Sequence, residues 1–216
     1  MKQTLTIEIP TSWGDITLKQ YLTMQSELEN YRDDEEAQIA IMLLHLCKIQ
    51  PQYLKGLSAD SYNLLKAKLT EFVSPEGIEL KKFITLNGKE YGFEPNLSKM
   101  AYGAYADITQ WDTISIDKNW PKIMSILYRP VTQKKGDRYQ IETYTGEWNE
   151  ELFLTTDMDT NWGCLFFFIN LQKDLLNATQ KYLKGMELPP NIKSTLEKSG
   201  EVMQRLLNLQ TVTLKK

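Results

Sequence analysis

Apolar residues recur at helical spacing in three stretches of the first third of the chain. The first stretch predicts a helix over residues 18–31, opened by a capping box at Thr17. The second predicts a helix over 34–48, where Asp33 with Glu36 repeats the capping pattern and the helix dipole favours the acid in the first turn. The third begins near Ser58 and ends before Pro75. Together these stretches predict an N-terminal three-helix unit.

Alternation of polar and apolar residues predicts the strands. Residues 5–9 alternate before Pro10, which indicates a short half-buried leading strand. Its apolar positions are Leu5, Ile7 and Ile9. Residues 83–91 read as a hairpin because Asn87-Gly88 tolerates the positive backbone angles of a type I′ turn. A second hairpin is predicted around the turn at Lys135-Gly-Asp137, with residues 138–144 as its outgoing strand.

Helical patterns return in the second half of the chain. Ser98 is positioned to cap one helix, and Pro121 suits the first turn of another that ends at Arg129-Pro130. The longest apolar face predicts a helix from about 157 to 184. After a Pro-Pro pair, a narrower stripe predicts a last helix over about 191–209.

These elements predict an α+β fold that is predominantly α-helical. We expect an N-terminal helical unit with a short leading strand over 1–75, and an α+β core over 76–188 in which two small β-hairpins surround the long central helix. Residues 189–216 are expected to form a C-terminal helical arm. No internal repeat or low-complexity tract is evident in the sequence.

Composition narrows the class of protein. At 216 residues, with 42% hydrophobic and 25% charged residues, the chain has the make-up of a globular protein with a sizeable core. Cys47 and Cys164 lie in apolar runs, which predicts reduced, structural thiols. The longest apolar run, 164–169, is far shorter than the roughly 20 residues needed to cross a bilayer, so we expect no membrane insertion.

Charge differs in sign between the two ends of the chain. The whole chain carries -3, whereas residues 1–60 hold five basic and nine acidic side chains and residues 181–216 hold seven basic and three acidic ones. Beyond this C-terminal set, a second basic patch comprises Lys134, Lys135 and Arg138. Neither patch interleaves aromatic residues, so nucleic-acid binding is not expected.

The residues that could carry chemistry favour structural roles. His45, the only histidine, lies in an apolar helical run and is expected to be a core or boundary residue. The carboxylates of Asp33–Glu36 and Glu147–Glu151 stand where helix capping explains them. Asp157–Asn161 resembles a calcium loop but lacks its glycine and its final glutamate. We therefore predict no catalytic residue, no cofactor and no metal, with a hydrolase built on two converging carboxylates as the enzymatic alternative.

Partner contacts are predicted at two places. Arg129 stands between a helix end and Pro130, where it is expected to bond the terminal carbonyls or to pair with an acid such as Asp107; the other interpretation is a partner contact. In the arm, an apolar stripe is the second predicted contact. The stripe consists of Leu196, Met203 and Leu207.

Five segments carry a family resemblance when they are read together. They are Trp13-Gly-Asp-Ile-Thr-Leu18, Leu97-Ser-Lys-Met-Ala-Tyr-Gly103 with Asp107-Ile108, Met124-Ser-Ile-Leu-Tyr-Arg-Pro-Val131, Tyr139-Gln-Ile-Glu-Thr-Tyr-Thr-Gly146 and Gly163-Cys-Leu-Phe-Phe-Phe-Ile-Asn-Leu171. In this order, over roughly residues 5–185, they resemble a family of tailed-bacteriophage proteins that are grouped with tail assembly chaperones or baseplate-hub assembly proteins.

The resemblance implies a non-enzymatic protein that assists or joins the construction of a phage tail, neck or baseplate. Its partners would be other virion proteins, with a homo-oligomer or ring as one arrangement, and it would be found in the virion and in the host cytoplasm during assembly. A virion component is the first expectation. A transient tail assembly chaperone, absent from the mature particle, and an adaptor for nucleic acid or host factors are the alternatives.

Overall fold

The computed structural model of the protein describes residues 7–72, 75, 77–110 and 115–184. The three predicted N-terminal helices are present as α1 (Leu18–Leu28), α2 (Glu35–Cys47) and α3 (Ala59–Phe72). The capping box of α1 forms as predicted. The Thr17 hydroxyl accepts from the backbone amide of Gln20, and the Gln20 side chain accepts from the backbone amide of Thr17. A one-turn 3₁₀ helix at Glu29–Tyr31 completes the first predicted span.

Two predictions in this region are wrong in detail. The described part of the leading strand, residues 7–9, is not in a strand, because no neighbouring strand in the described chain supplies it with hydrogen bonds. The cap of α2 is Asp34 rather than Asp33. Its carboxylate accepts from the amide of Ala37 at 2.9 Å, and the next two acidic residues occupy the first turn.

The two predicted hairpins are β1 (Phe83–Leu86) with β2 (Lys89–Phe93), and β3 (Tyr128–Lys135) with β4 (Arg138–Ile141). Antiparallel pairing of β2 with β3 joins the two hairpins into one four-stranded sheet with the order β1-β2-β3-β4. Asn87 and Gly88 have φ values of 47° and 76°, as the predicted turn requires.

The sheet curls so that β4 approaches β2 across β3. The Tyr139 hydroxyl donates to the Phe93 carbonyl at 2.6 Å. A Cβ on Gly92 would lie only 2.8 Å from the Tyr139 ring, so a side chain there would separate the two strands. The curl therefore depends on a glycine in β2 and on the irregular register between Val131 and Gln133 in β3.

Two further helices flank the sheet, and both differ from their predicted limits. α4 covers Tyr102–Thr109 and starts after Ala101, while Ser98 belongs to a separate 3₁₀ turn at Leu97–Lys99. α5 covers Trp120–Leu127, and the chain enters β3 directly, so Arg129 and Pro130 lie in a strand instead of ending the helix. Except for Lys122, every residue of α5 is buried, so the helix is packed on all sides.

The last described elements are the short α6 (Glu150–Phe153) and α7 (Met158–Lys184), which matches the long helix predicted from the sequence. The mixed helices and sheet confirm the predicted α+β, predominantly helical fold. No helix in the described residues is both long and apolar enough to cross a membrane. The chain divides into two compact units, Met1–Phe167 and Phe168–Lys216. The predicted boundaries at 75 and 188 stay predictions.

The core of the first unit includes an aromatic cluster that reaches both sides of position 75. The Trp13 ring stacks on Phe72 with centroids 4.8 Å apart and meets Tyr21 and Trp162 edge to face at 5.8 Å. Aromatic pairs in this geometry stabilise a fold beyond their buried area. The N-terminal helices are thus packed against the start of α7.

A buried polar network is centred on Asn161 of α7, whose side chain is fully buried. Its amide oxygen accepts from the Trp120 indole at 2.8 Å. Its amide nitrogen donates to the Thr156 hydroxyl at 2.9 Å and to the Asp157 carbonyl at 2.7 Å. The network ties α5 to the turn that starts α7.

Replacing Asn161 by leucine is expected to lower the free energy of unfolding by about 2 kcal/mol. Only the Trp120 indole N–H loses its partner, because the Thr156 hydroxyl still donates to Phe153, and one unpaired buried donor costs about 1–3 kcal/mol. Urea unfolding checks the shift. The exposed Asn170 of the same helix is the matched control, and an Asn161 variant no less stable than Asn170→Leu would contradict the expectation.

Candidate contact surface

Of the four residues predicted to contact a partner, Arg129 lies among the described residues. One guanidinium nitrogen donates to the Ile126 carbonyl at the end of α5 at 2.9 Å, which confirms the predicted bond to a terminal carbonyl. The other lies 2.5 Å from a Glu94 carboxylate oxygen, so the paired acid is Glu94 and not the expected Asp107. The two side chains are only 11% and 9% exposed, which makes this a buried ion pair.

Tyr144 lies over this ion pair, with its ring centroid 5.9 Å from the Arg129 guanidinium carbon. Its hydroxyl donates to the Asp107 carboxylate and accepts from the Trp148 indole at 2.7 Å. Burial raises the pKa of the Tyr144 phenol above its ordinary value, and the hydrogen bond to Asp107 raises it further. The hydroxyl therefore stays protonated at neutral pH and links α4 to the loop after β4.

Trp148 is held from a second side by Lys122 of α5. The Lys122 ammonium lies 4.9 Å from the centroid of the Trp148 ring and 3.6 Å from a carboxylate oxygen of Glu150. A cation over an indole face and a hydrogen bond at the indole N–H restrict the ring to one orientation. Trp148 is 39% exposed, so an oriented aromatic side chain remains open to solvent.

α4 adds two exposed tyrosines. Ala104 is fully buried beneath the helix, and Gly103 lies under the Tyr144 ring, where an added Cβ would be in van der Waals contact at 3.6 Å. The opposite side of the helix carries Tyr102, 83% exposed, and Tyr105, 58% exposed. We call Tyr102, Tyr105, Tyr144 and Trp148 together the aromatic surface.

The other predicted contact residues lie in the C-terminal arm. Leu196, Met203 and Leu207 are outside the described residues, so the predicted stripe stays a prediction.

The lone histidine has a carboxylate neighbour on the preceding helix. His45 is half-buried, and its Nε2 lies 3.0 Å from a Glu27 carboxylate oxygen without making an aligned hydrogen bond to it. Cys47 and Cys164 are both free thiols, as predicted, and burial raises the pKa of each. Both thiols are therefore protonated at neutral pH, which lowers their nucleophilicity.

A carboxylate outside the clusters predicted to cap helices forms the cap of α7. Asp157 accepts from the backbone amide of Thr160 at 2.7 Å and pairs with Lys81 at 2.9 Å, so a helix cap explains part of the calcium-like segment. At α6 the capping side chain is Asn149, and the glutamates occupy the first turn. In the ranges that the structure describes, no three His, Cys, Asp or Glu residues are grouped as metal ligands.

Sequence reasoning identified Arg129 but missed the aromatic surface above it. The missed residues are separated in sequence by the whole β3–β4 hairpin, and no periodic pattern links α4 to the loop at Tyr144 and Trp148. Gly103 gives no signal either, because an added Cβ there would meet the Tyr144 ring in ordinary van der Waals contact at 3.6 Å, so the position does not require glycine. Comparison with protein-family models, curated proteins and solved structures gives no match for the chain.

Proposed function

We propose that this protein is a non-enzymatic bacteriophage protein that acts in tail, neck or baseplate construction, and that the aromatic surface binds a partner polypeptide of the virion. The observation that carries the proposal is the exposed Trp148, oriented by Tyr144 and Lys122 rather than buried. The phage setting comes from the sequence resemblance. We propose the virion as its location, with the host cytoplasm during assembly.

Exposed aromatic residues support a contact role on physical grounds. Tyrosine and tryptophan are enriched among the residues that carry most of the binding energy at protein interfaces. They present a large apolar area and lose little rotamer entropy on binding. The hydrogen bond to Tyr144 and the cation–π contact with Lys122 favour one orientation of Trp148 in the free protein, so less entropy remains to be lost when a partner covers it.

The charged groups around the aromatic surface are paired within the protein. Asp107 accepts from Tyr144, Lys122 lies next to Glu150, and Glu94 neutralises Arg129. A partner that covers the rings therefore does not need to supply a counter-charge for these groups. This arrangement favours an aromatic contact with a polar rim, which is the common organisation of protein interfaces.

The role of the aromatic surface can be tested by removing its outermost rings. In cells that produce the encoding phage, the triple variant Tyr102→Ala, Tyr105→Ala and Trp148→Ala is expected to reduce the yield of infectious particles by about a hundredfold or more. Loss of interface rings worth about 2 kcal/mol each weakens binding by at least that factor. The measurement is a plaque count, with circular dichroism of the purified variant to verify its fold.

Two exposed tyrosines elsewhere on the protein provide the control. Tyr31 and Tyr53 are also exposed and lie in the N-terminal helical region, so Tyr31→Ala with Tyr53→Ala removes two exposed rings from another surface. This control should leave the yield unchanged. Equal losses from both sets of variants, or an unchanged yield from the triple variant, would contradict a contact role for the aromatic surface.

A photo-crosslinking amino acid at position 102 identifies the partner directly. With the side chain at that position 83% exposed, crosslinking in assembling cells should join the chain to another virion protein, seen by mass spectrometry. The same probe at position 53 should not capture that protein. Detection of the chain itself in purified virions would favour a virion component, and its absence from them would favour a transient chaperone.

A further inference from the structure

The outer edge of β1 has no strand paired to it among the described residues. In the described chain β1 pairs with β2 alone, and it forms one margin of the sheet. In a hairpin with a two-residue turn, the two residues that flank the turn form a hydrogen-bonded pair, and such pairs recur at every second residue. The backbone groups of Leu86 and Ile84 therefore bond to β2. The same alternation continues at Lys82, whose carbonyl accepts from Phe93 at 2.9 Å. The backbone groups of Phe83 and Thr85 therefore point outward.

A cleft of about 370 Å³ runs along this outer edge. All four residues of β1 line it, and Ile84 and Leu86 are buried whereas Thr85 is exposed. Facing β1 across the cleft are small and hydroxyl-bearing residues, close to the start of α7. They are Gly14, Thr17, Thr155, Thr156 and Thr160. The ion pair of Lys81 with Asp157, 2.9 Å apart, also lines the cleft. An exposed edge bordered by a cleft is where an added strand binds in β-augmentation.

The chain carries one segment with the matching pattern. Residues 4–8, Thr-Leu-Thr-Ile-Glu, alternate polar and apolar side chains and are rich in β-branched residues. Five extended residues span about 16 Å at 3.3 Å per residue, enough to cover the four residues of β1. Ile9 and Pro10 lie in a different pocket, with Phe72 and Ile78, so the described start of the chain does not occupy the cleft of its own protomer.

We propose that residues 4–8 of a second copy of this chain enter the cleft and pair with β1 as a fifth strand. The alternation fits, because Leu5 and Ile7 would extend the apolar face of Ile84 and Leu86. The threonines between them would then continue the polar face that carries Thr85. This contact uses a surface other than the aromatic surface and holds whether or not the proposed function is correct.

Blocking the outward amide of β1 tests the pairing. Proline at an edge position removes a donor without breaking a bond inside the sheet, so Thr85→Pro is expected to sediment as a monomer where the unmodified protein sediments as a larger species. Thr85→Val keeps the amide and the side-chain shape, and should associate like the unmodified protein. A monomeric unmodified protein across the accessible concentration range, or full association of Thr85→Pro, would overturn the proposal.

The donor segment is tested separately, because a proline in β1 could also disturb the hairpin. Leu5→Asp places a charge on the apolar face of the entering strand and should give the same loss of association with unchanged circular dichroism. Association that survives Leu5→Asp would show that residues 4–8 are not the donor strand, and would overturn the proposal.

Cysteine crosslinking between two differently marked chains identifies the occupant. In a Cys47→Ser background, chains with Thr6→Cys are mixed with chains carrying Thr85→Cys, and oxidation should join the two. In the control, Thr70→Cys, at an exposed position of α3, replaces Thr85→Cys and should not crosslink. A disulfide that forms only within a chain carrying both cysteines would place its own N-terminus in the cleft. That result, or the absence of any disulfide, would overturn the pairing of two copies.

Discussion

Replacing Glu94 by leucine is expected to lower the free energy of unfolding by about 4 kcal/mol, which we predict to be the largest effect of a single substitution. The change leaves the Arg129 guanidinium charged and almost buried with no carboxylate beside it. Removing one partner of a buried pair costs about 3–5 kcal/mol, because the remaining charge has lost its hydration without compensation. Urea unfolding followed by circular dichroism measures the effect.

A double-mutant cycle measures the interaction energy between Glu94 and Arg129. Arg129→Met combined with Glu94→Leu removes both charges and fills the site with apolar groups, so the double variant should be more stable than the sum of the two single losses predicts. Additive losses would contradict the interpretation of Glu94 and Arg129 as a coupled pair. The exposed pair of Lys134 with Glu90, at 2.7 Å, is the control, and Lys134→Met should change stability by less than about 1 kcal/mol.

The same variants connect the ion pair to the aromatic surface. Tyr144 lies over the Arg129 guanidinium, and Trp148 donates to its hydroxyl. A methionine at position 129 removes the cation beneath Tyr144, so the tryptophan is expected to gain mobility even at temperatures where the protein stays folded. The proposed partner contact would then weaken through loss of preorganisation, without the removal of any exposed ring.

Gly163→Ala is expected to destabilise the protein by about 2 kcal/mol, although alanine normally favours a helix by about 1 kcal/mol over glycine. Gly163 lies in α7 where the backbone of Glu79 and Leu80 crosses the helix, and an added Cβ would lie 2.9 Å from the Glu79 carbonyl carbon and 3.3 Å from the Leu80 amide nitrogen. These contacts are with backbone atoms, which cannot rotate away as a flexible side chain would. Overpacking of this kind costs about 1–3 kcal/mol.

Gly56 provides a matched control for that substitution. It ends the 3₁₀ helix Pro51–Gly56, and a Cβ built there meets no atom within 4 Å. Gly56→Ala should therefore leave the urea midpoint close to that of the unmodified protein. If Gly163→Ala proved as stable as Gly56→Ala, the close crossing of residues 79 and 80 over α7 would be wrong.

Local patterns were sufficient for most of the elements. The Thr17 capping box, the Asn87-Gly88 turn and the long apolar face of α7 each depend on residues within a few turns of one another. Their physical causes are also local, since a cap supplies nearby amides and a type I′ turn needs two positive φ angles. Predictions of this kind agree with the structure to within a few residues.

Errors arose where a distant partner decides the outcome. Alternation over residues 5–9 predicts a strand, but a strand also needs a neighbour to supply hydrogen bonds, and the described residues 7–9 have none. Helix α5 was expected to end at Arg129-Pro130, whereas pairing with β2 draws those residues into the sheet. In both cases tertiary contacts override the local preference.

By itself the sequence determined that this protein is an α+β, mainly helical chain and where its helices and hairpins lie, because the period of the apolar residues and the chemistry of caps and turns act over short distances. Only the tertiary structure decided that the two hairpins share one sheet, that Glu94 neutralises Arg129 and that Tyr144 bonds to both Asp107 of α4 and Trp148. Such choices compare the free energies of contacts between residues far apart in the chain, and no local pattern of residues encodes that comparison.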